Sequence, residues 1–282
     1  MAIYIVTDSA SDITQEEAKT LGITVVPLKT IFGDQEYLDG VTLTHEEFYK
    51  KLKTEKELPT TSQVSPYQYE EAFKDHKDDS IICITVSGGL SGCFQSATIA
   101  SEGYNVVVVD SENVSIGESV LVKKALRLID EGLSCEEIVD TLNKVKKDIR
   151  VIALFDTLEN LKRGGRLSAS AATIGSLLSI KPVVTIQDGL IEVLGKARGA
   201  KKGGNLLTEF VEKRGGIDFN EPLAMVYSGS DRKLLDDYVN AHEDLFIDHM
   251  KKEDLPVSNI GSVIGTHAGE GAVGIAFFAK NK

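Results

Sequence analysis

"IICITVSGGLSGCFQSATIASEGYNVVVVD", residues 81–110, begins and ends on short apolar runs, IICITV (81–86) and NVVVVD (105–110). Their length and composition read as buried strands rather than helices. Between them lie a glycine-rich turn, SGGLSG (87–92), and a helical run. Strand, turn, helix and strand in that order is the repeating unit of a largely parallel sheet with helices on its faces.

The same alternation extends in both directions. AIYIV (2–6) reads as the first strand, and Thr14-Gln15-Glu16-Glu17 is a capping box opening a helix that Gly22 closes. ITVVPLKTIF (23–32) is an extended segment, and Thr44-His45-Glu46-Glu47 is a second capping box. Ser65-Pro66-Tyr67-Gln68 is a third, with proline at the first helical position, where its missing N–H costs nothing. A fourth, Ser134-Cys135-Glu136-Glu137, starts a helix that runs into DIRVIALF (148–155), whose apolar run begins a new strand. The expected domain boundary is near Asp148, giving an N-terminal α/β domain over 1–148 and a C-terminal one over 149–282. In the second half, PVVTIQDGLIEVLG (182–195) is two apolar runs about Asp188-Gly189, a hairpin signal. A helix after Arg198, a strand at LAMVYSG, another helix and SVIGTHAGEGAVGIAFFAK (262–280) complete it. The predicted fold class is α/β in two domains. The first has a largely parallel sheet with helices on both faces, the second a mixed sheet, with a ligand in the cleft between them.

The 282 residues are 42% hydrophobic, enough to fill two cores. With 43 acidic residues against 31 basic ones, a formal net charge of -12, polyanionic partners such as nucleic acid or an anionic membrane are disfavoured. Cys83, Cys93 and Cys135 are odd in number and lack CxxC spacing, which argues against a disulfide framework or a structural zinc site. The apolar run at the N-terminus is too short for a signal peptide or a membrane span, so a cytoplasmic protein without stable membrane insertion is expected.

Several motifs fail on their context. Gly269 to Gly274 satisfies GxGxxG but is followed by the strand-like IAFFAK instead of a helix. Gly189 to Lys196 has five residues between its glycines, and Ala197 stands where a magnesium-ligating hydroxyl belongs. Gly89-Leu90-Ser91 begins a nucleophile elbow that Cys93 interrupts. Neither HExxH nor paired metal-ligand spacing occurs, so no metal and no cofactor are expected.

Three features survive. The glycines of SGGLSG let the backbone approach a ligand, and the helix behind it offers unpaired N–H groups to an anion, with Ser91 at its start. In PTTSQVSP (59–66), Ser65 and Pro66 are helix punctuation, whereas Thr60, Thr61, Ser62 and Gln63 are not used up by it. Two hydroxyl-bearing helix starts can converge on one carboxylate. Finally, GTHAGEG (265–271) sets His267 among small residues in a glycine-rich turn, while the other four histidines lie among charges on helical segments and read as surface.

Taken together and in order, these segments resemble the DegV family, whose members bind long-chain fatty acids and in several bacteria serve as the binding subunit of fatty acid kinase. YIVTDSASDI, TTSQVSP, SGGLSGCFQSA, VVDSENVSIGES, LENLKRGGRLS, GKARGAKKG and VIGTHAGEGAVGIAF all match, over essentially the whole chain. The resemblance implies a bound fatty acid whose carboxylate meets Thr61, Ser62, Ser91, Gly92 and His267, and a separate kinase that phosphorylates it to an acyl phosphate. The chain itself would then not be an enzyme. Arg166 and Arg198, in the matching KRGGR and KAR segments, are implied contacts for that kinase. The sequence departs from the family at Val64 (commonly Pro), Cys93 (usually Thr), and Ala268 and Glu270 (usually Thr and Pro), and GKARGAKKG lacks the hydroxyl beside its arginine. Glu270 could repel a carboxylate or keep His267 protonated. An acyl chain of about 16 carbons, at about 0.8 kcal/mol per buried methylene, gains on the order of 12 kcal/mol before association costs. LSASAATIGSLLSI (167–180) and strand ends near Ile264 are expected to line its tunnel. The competing reading is a hydrolase or transferase acting on a small acidic or phosphorylated substrate, with Ser91 as nucleophile and His267 as base. No acidic orienter for His267 can be named for it.

Overall fold

The computed structural model describes residues 2–55, 57–167 and 180–280. Most of LSASAATIGSLLSI, the expected tunnel lining, lies outside them. Four strands, β1 (Ile3–Asp8), β2 (Thr24–Val26), β6 (Ser80–Thr85) and β7 (Val106–Asp110), form an all-parallel sheet in the order β2-β1-β6-β7. Being covered on both sides, its strands are nearly continuous apolar runs. Ile5, Ile82 and Ile84 pack toward α1 (Gln15–Leu21), α5 (Ile116–Asp130) and α6 (Cys135–Val145), and Val6, Ile81 and Cys83 toward α3 (Pro66–Lys74) and α4 (Cys93–Ala100). The predicted caps are in place. Thr14, Thr44, Ser65 and Ser134 each accept from the backbone N–H three residues on, the last three in reciprocal capping boxes that open α2 (His45–Thr54), α3 and α6.

A six-stranded sheet follows, in the order β10-β9-β8-β13-β11-β12, built from β8 (Ile149–Leu154), β9 (Ile180–Gln187), β10 (Leu190–Arg198), β11 (Ala224–Tyr227), β12 (Val257–Asn259) and β13 (Val273–Phe278). Among its described strands only β11 and β12 form a parallel ladder, so the sheet is mixed as expected. Asp188 and Gly189, with φ of 49° and 75°, make the two-residue turn between β9 and β10; both angles are what a type I′ hairpin needs. Alternation splits the sheet's two faces. Ile152, Leu154, Val183 and Met225 pack on α8 (Ala200–Lys213) and α9 (Lys233–Ala241). Val151, Ala153, Val184 and Val226 join the core of the parallel sheet through α5.

Two elements differ from expectation. Thr60–Ser62 is a strand, β5, and not part of a helix start; it pairs antiparallel with β3 (Lys29–Phe32), which also pairs with β4 (Gln35–Leu38). The apolar run before His267, read as strand-like, is the helix α10 (Ser262–Ala268). Its first N–H groups are met from the other half of the chain: Gly261 N donates to Asp12 Oδ1 (2.8 Å) and Ser262 N to Asp39 Oδ1 (2.7 Å). Satisfying these donors lets a β-branched, glycine-containing segment be helical.

Candidate functional site

The carboxyl ends of the parallel strands face the inner side of the six-stranded sheet, the place where open α/β sheets bind ligands. A cavity of about 300 Å³ lies there. Val86, Leu90 and Ile116 line it from the first half of the chain, and Val151, Val184 and Val226 from the second. It exists because the facing positions are small, Ala153, Ala272 and Gly274 among them, so the sheet's inner surface carries little side chain there.

Polar groups gather on one part of the wall. Thr61, Ser62, Ser91, Gly92, Arg166 and His267 all border the cavity. Arg198 does not; it is exposed near the end of β10. Thr61 Oγ1 and His267 Nε2 are 3.0 Å apart, and Nδ1 of His267 is buried without a hydrogen-bond partner. Burial, and after it the charge of Arg166, pushes the imidazole down to about 4, so it is neutral near pH 7. Ser91 Oγ donates to Cys93 Sγ (3.3 Å) and accepts from Cys93 N (3.4 Å), holding the hydroxyl at the entry to α4.

The segments that carry these groups dock through glycine contacts. A Cβ on Gly92 would lie 2.1 Å from Gln63 Oε1, because the Gln63 amide lies flat on that residue. The amide donates to Ser96 Oγ (2.8 Å) and Gly92 O (3.3 Å). Gln63 thus ties β5 to α4. A Cβ on Gly164 would lie 2.2 Å from His267 Nδ1, so this glycine, ending α7 (Glu159–Arg163), is the floor under the imidazole.

Sequence reasoning left other residues of this region unnamed. Ser115 borders the cavity with φ 57° and ψ -133°, a backbone conformation costly for any side chain. Its hydroxyl donates to Asp12 Oδ2 (2.5 Å). Asp12 itself is fully buried, and that burial pushes its carboxyl up to about 7. Asp8, buried likewise, is pushed up to about 6 while accepting from Val86 N (3.0 Å), Ala10 N (3.0 Å) and Tyr69 Oη (3.1 Å). The DSASD stretch was a usable signal, since acidic residues directly behind a buried strand must be satisfied by distant donors. Glu270 stands apart from His267's electrostatics; its carboxylate pairs with Lys53 (2.8 Å) and accepts from Ser230 (3.3 Å). His45, expected at the surface, is half-buried, and burial lowers its pKa. Among the described residues no group of three or more His, Cys, Asp or Glu side chains is arranged to hold a metal ion, and no helix is long and apolar enough to cross a membrane.

Comparison with known proteins agrees with this architecture. A family model described as "Uncharacterised protein, DegV family" matches residues 2–280. The chain belongs to the DegV family. A DegV domain-containing protein of Caldanaerobacter subterraneus is 39% identical over 284 residues, covering 99% of both chains. A DegV family protein from Thermus thermophilus, whose structure concerns fatty acid binding, is 32% identical with a TM-score of 0.88, over 99% of this chain and 100% of that one. The same fold, at 24% identity and a TM-score of 0.84 over 99% and 100% of the two chains, occurs in the Streptococcus pneumoniae Fatty Acid Kinase (Fak) B3 protein, solved loaded with linoleic acid.

Proposed function

We propose that this DegV protein binds a long-chain fatty acid with its tail in the apolar cavity and its carboxylate at Thr61, Ser62, Ser91, Gly92 and His267, and presents that carboxylate to a separate kinase. The supporting observation is that Thr61, Ser91 and His267, from three remote segments, share one wall of a cavity whose remaining lining is mostly apolar. Fatty acid binding by the Thermus relative accords with it. The tail supplies affinity through burial. The head group, taken out of water, needs several donors and a nearby positive charge. Three hydroxyls (Thr61, Ser62 and Ser91), the imidazole N–H and the Arg166 guanidinium meet that need without a protonated histidine. With the carboxylate so fixed, one of its oxygens attacks the terminal phosphorus of a nucleoside triphosphate held by the kinase; the bond to the departing diphosphate breaks and an acyl phosphate forms. Arg166, exposed beside the head group, and Arg198 are the proposed kinase contacts.

Geometry weighs against Ser91 as a nucleophile activated by His267. The serine hydroxyl is turned to Cys93, the imidazole to Thr61, and among the described residues no carboxylate orients Nδ1.

The decisive test is mass spectrometry of an organic extract of the purified protein, followed by titration of delipidated protein with oleate. A fatty acid is expected in the extract, and Ser91→Ala and His267→Ala should lower acyl-phosphate yield with a fatty acid kinase more than they lower lipid retention. A cavity that is always empty, with no uptake of oleate or palmitate, overturns the proposal.

A further inference from the structure

A second cavity, of about 480 Å³, opens where β8 begins and where β9, β13 and α8 end. It is separate from the ligand cavity. Arg150 alternates with Val151 on β8, so it shares the face of Ile152 and Leu154 that packs on α8, opposite the face carrying Val151 and Ala153. Its lining holds five cations, Lys147, Arg150, Lys213, Arg214 and Lys280, and one carboxylate, Asp148. On a chain of net charge -12 this concentration of positive charge is unexpected.

Four of these five cations lack an ion pair among the described residues. Lys213 pairs with Glu209, but among the described residues Lys147, Arg150, Arg214 and Lys280 have no carboxylate oxygen within 4.0 Å. The two guanidiniums are held in position by neutral acceptors: Arg150 donates to the carbonyls of Lys147 (2.7 Å) and Ile149 (3.1 Å), and Arg214 to Gln187 Oε1 (3.2 Å). A guanidinium has five donors, so each keeps N–H groups with no protein acceptor among the described residues. Both arginines are half-buried. Burial and then the neighbouring Arg150 lower the pKa of Arg214, with Glu192 opposing them. Cations at the end of α8 complement its dipole, which accounts for Lys213 and Arg214. It does not account for a third strand-borne cation set against them, an arrangement that costs energy until an anion joins it.

We propose that this cavity binds a small oligophosphate, recognised by adjacent phosphoryl groups. Two planar guanidiniums match phosphoryl oxygens two at a time, and flexible ammonium groups surround them. Apart from Ala279 and Gly215 the lining is polar or charged, with no aromatic ring for a base to stack on. Inorganic pyrophosphate and the diphosphate of a nucleotide should therefore bind alike.

The test is calorimetric titration of the full chain with inorganic pyrophosphate, ADP, orthophosphate and adenosine, at low and at physiological ionic strength. Pyrophosphate and ADP should bind with similar affinity, orthophosphate about tenfold more weakly, and adenosine not at all. Binding should weaken as salt is raised. Arg150→Gln and Arg214→Gln should each weaken pyrophosphate about tenfold, while oleate retention, which reports an intact fold, is unchanged. The charge-preserving pair Arg150→Lys and Arg214→Lys should retain part of the affinity. Absence of pyrophosphate binding, full binding in the Arg150→Gln/Arg214→Gln double variant, or ADP binding that adenosine abolishes overturns the proposal. Because this cavity shares no residue with the fatty-acid site, neither result depends on the other.

Discussion

Gly164→Ala tests the head-group arrangement without replacing any residue assigned to the ligand. The glycine has φ -71°, which alanine adopts freely, so backbone strain plays no part. The effect comes from contact alone: the new Cβ, 2.2 Å from His267 Nδ1, falls about 1.2 Å short of the 3.4 Å at which ordinary contact begins. Since α10 is anchored at its start by Asp12 and Asp39, the imidazole has to yield. A retreat of that size breaks the 3.0 Å contact with Thr61 Oγ1 and withdraws the ring from the carboxylate. A hydrogen bond to a charged group contributes about 1.5–3 kcal/mol, which is about 10- to 150-fold in Kd. Calorimetry of delipidated protein with oleate should show a loss in this range for Gly164→Ala and a comparable one for His267→Ala. The double variant should lose no more than His267→Ala alone, because both changes remove one interaction. Additive losses, or a Gly164→Ala protein that binds oleate within about twofold of the parent, would refute the reasoning.

Further expectations concern the tail and the buried charges. Ala153→Leu pushes about three carbons into a cavity of about 300 Å³ and should shift preference toward shorter acyl chains, by about 0.8 kcal/mol for each methylene excluded, in a competition between stearate and laurate; an unchanged preference would remove Ala153 from the tail's path. The lowered pKa of His267 contributes stability that is present above about 6.5 and lost as pH falls through about 4, so His267→Gln should lessen the loss of stability on acidification, read by chemical denaturation of delipidated protein. Asp12 has the opposite sign: with its carboxyl raised from 3.8 to about 7, its contribution is present below 3.8 and lost as pH rises through about 7. Asp12→Asn should therefore flatten the profile between those values and be most favourable at alkaline pH. A variant that is least stable at high pH would contradict this.

The legible parts of the sequence were those set by short-range chemistry. Capping boxes at Thr44, Ser65 and Ser134 satisfy their own helix ends, and Asp188-Gly189 carries the angles its turn requires, so each could be read without knowing its neighbours. The buried runs at 81–86 and 105–110 are unambiguous for the same reason. What escaped was set by contacts across the chain. Thr60–Ser62 has no apolar periodicity and is a strand only because β3, some thirty residues earlier, offers an edge. Ser262–Ala268 has the composition of a strand and is a helix because two distant carboxylates accept from its leading amides. Thr61, Ser91, Arg166 and His267 were legible as residue types in suggestive settings, whereas Gln63, Ser115 and Gly164, which hold that group together, gain their roles only from what touches them.

The proposed head-group wall draws on positions 61, 91, 166 and 267, and another part of the chamber's lining is Ala272, Val273 and Gly274, on or beside β13. Since β13 lies between β8 and β11, in the interior of the six-stranded sheet, the chamber has no complete wall until that strand is in place. Uptake of the proposed acyl chain therefore belongs to the folded protein, and opening of the sheet at β13 would release it.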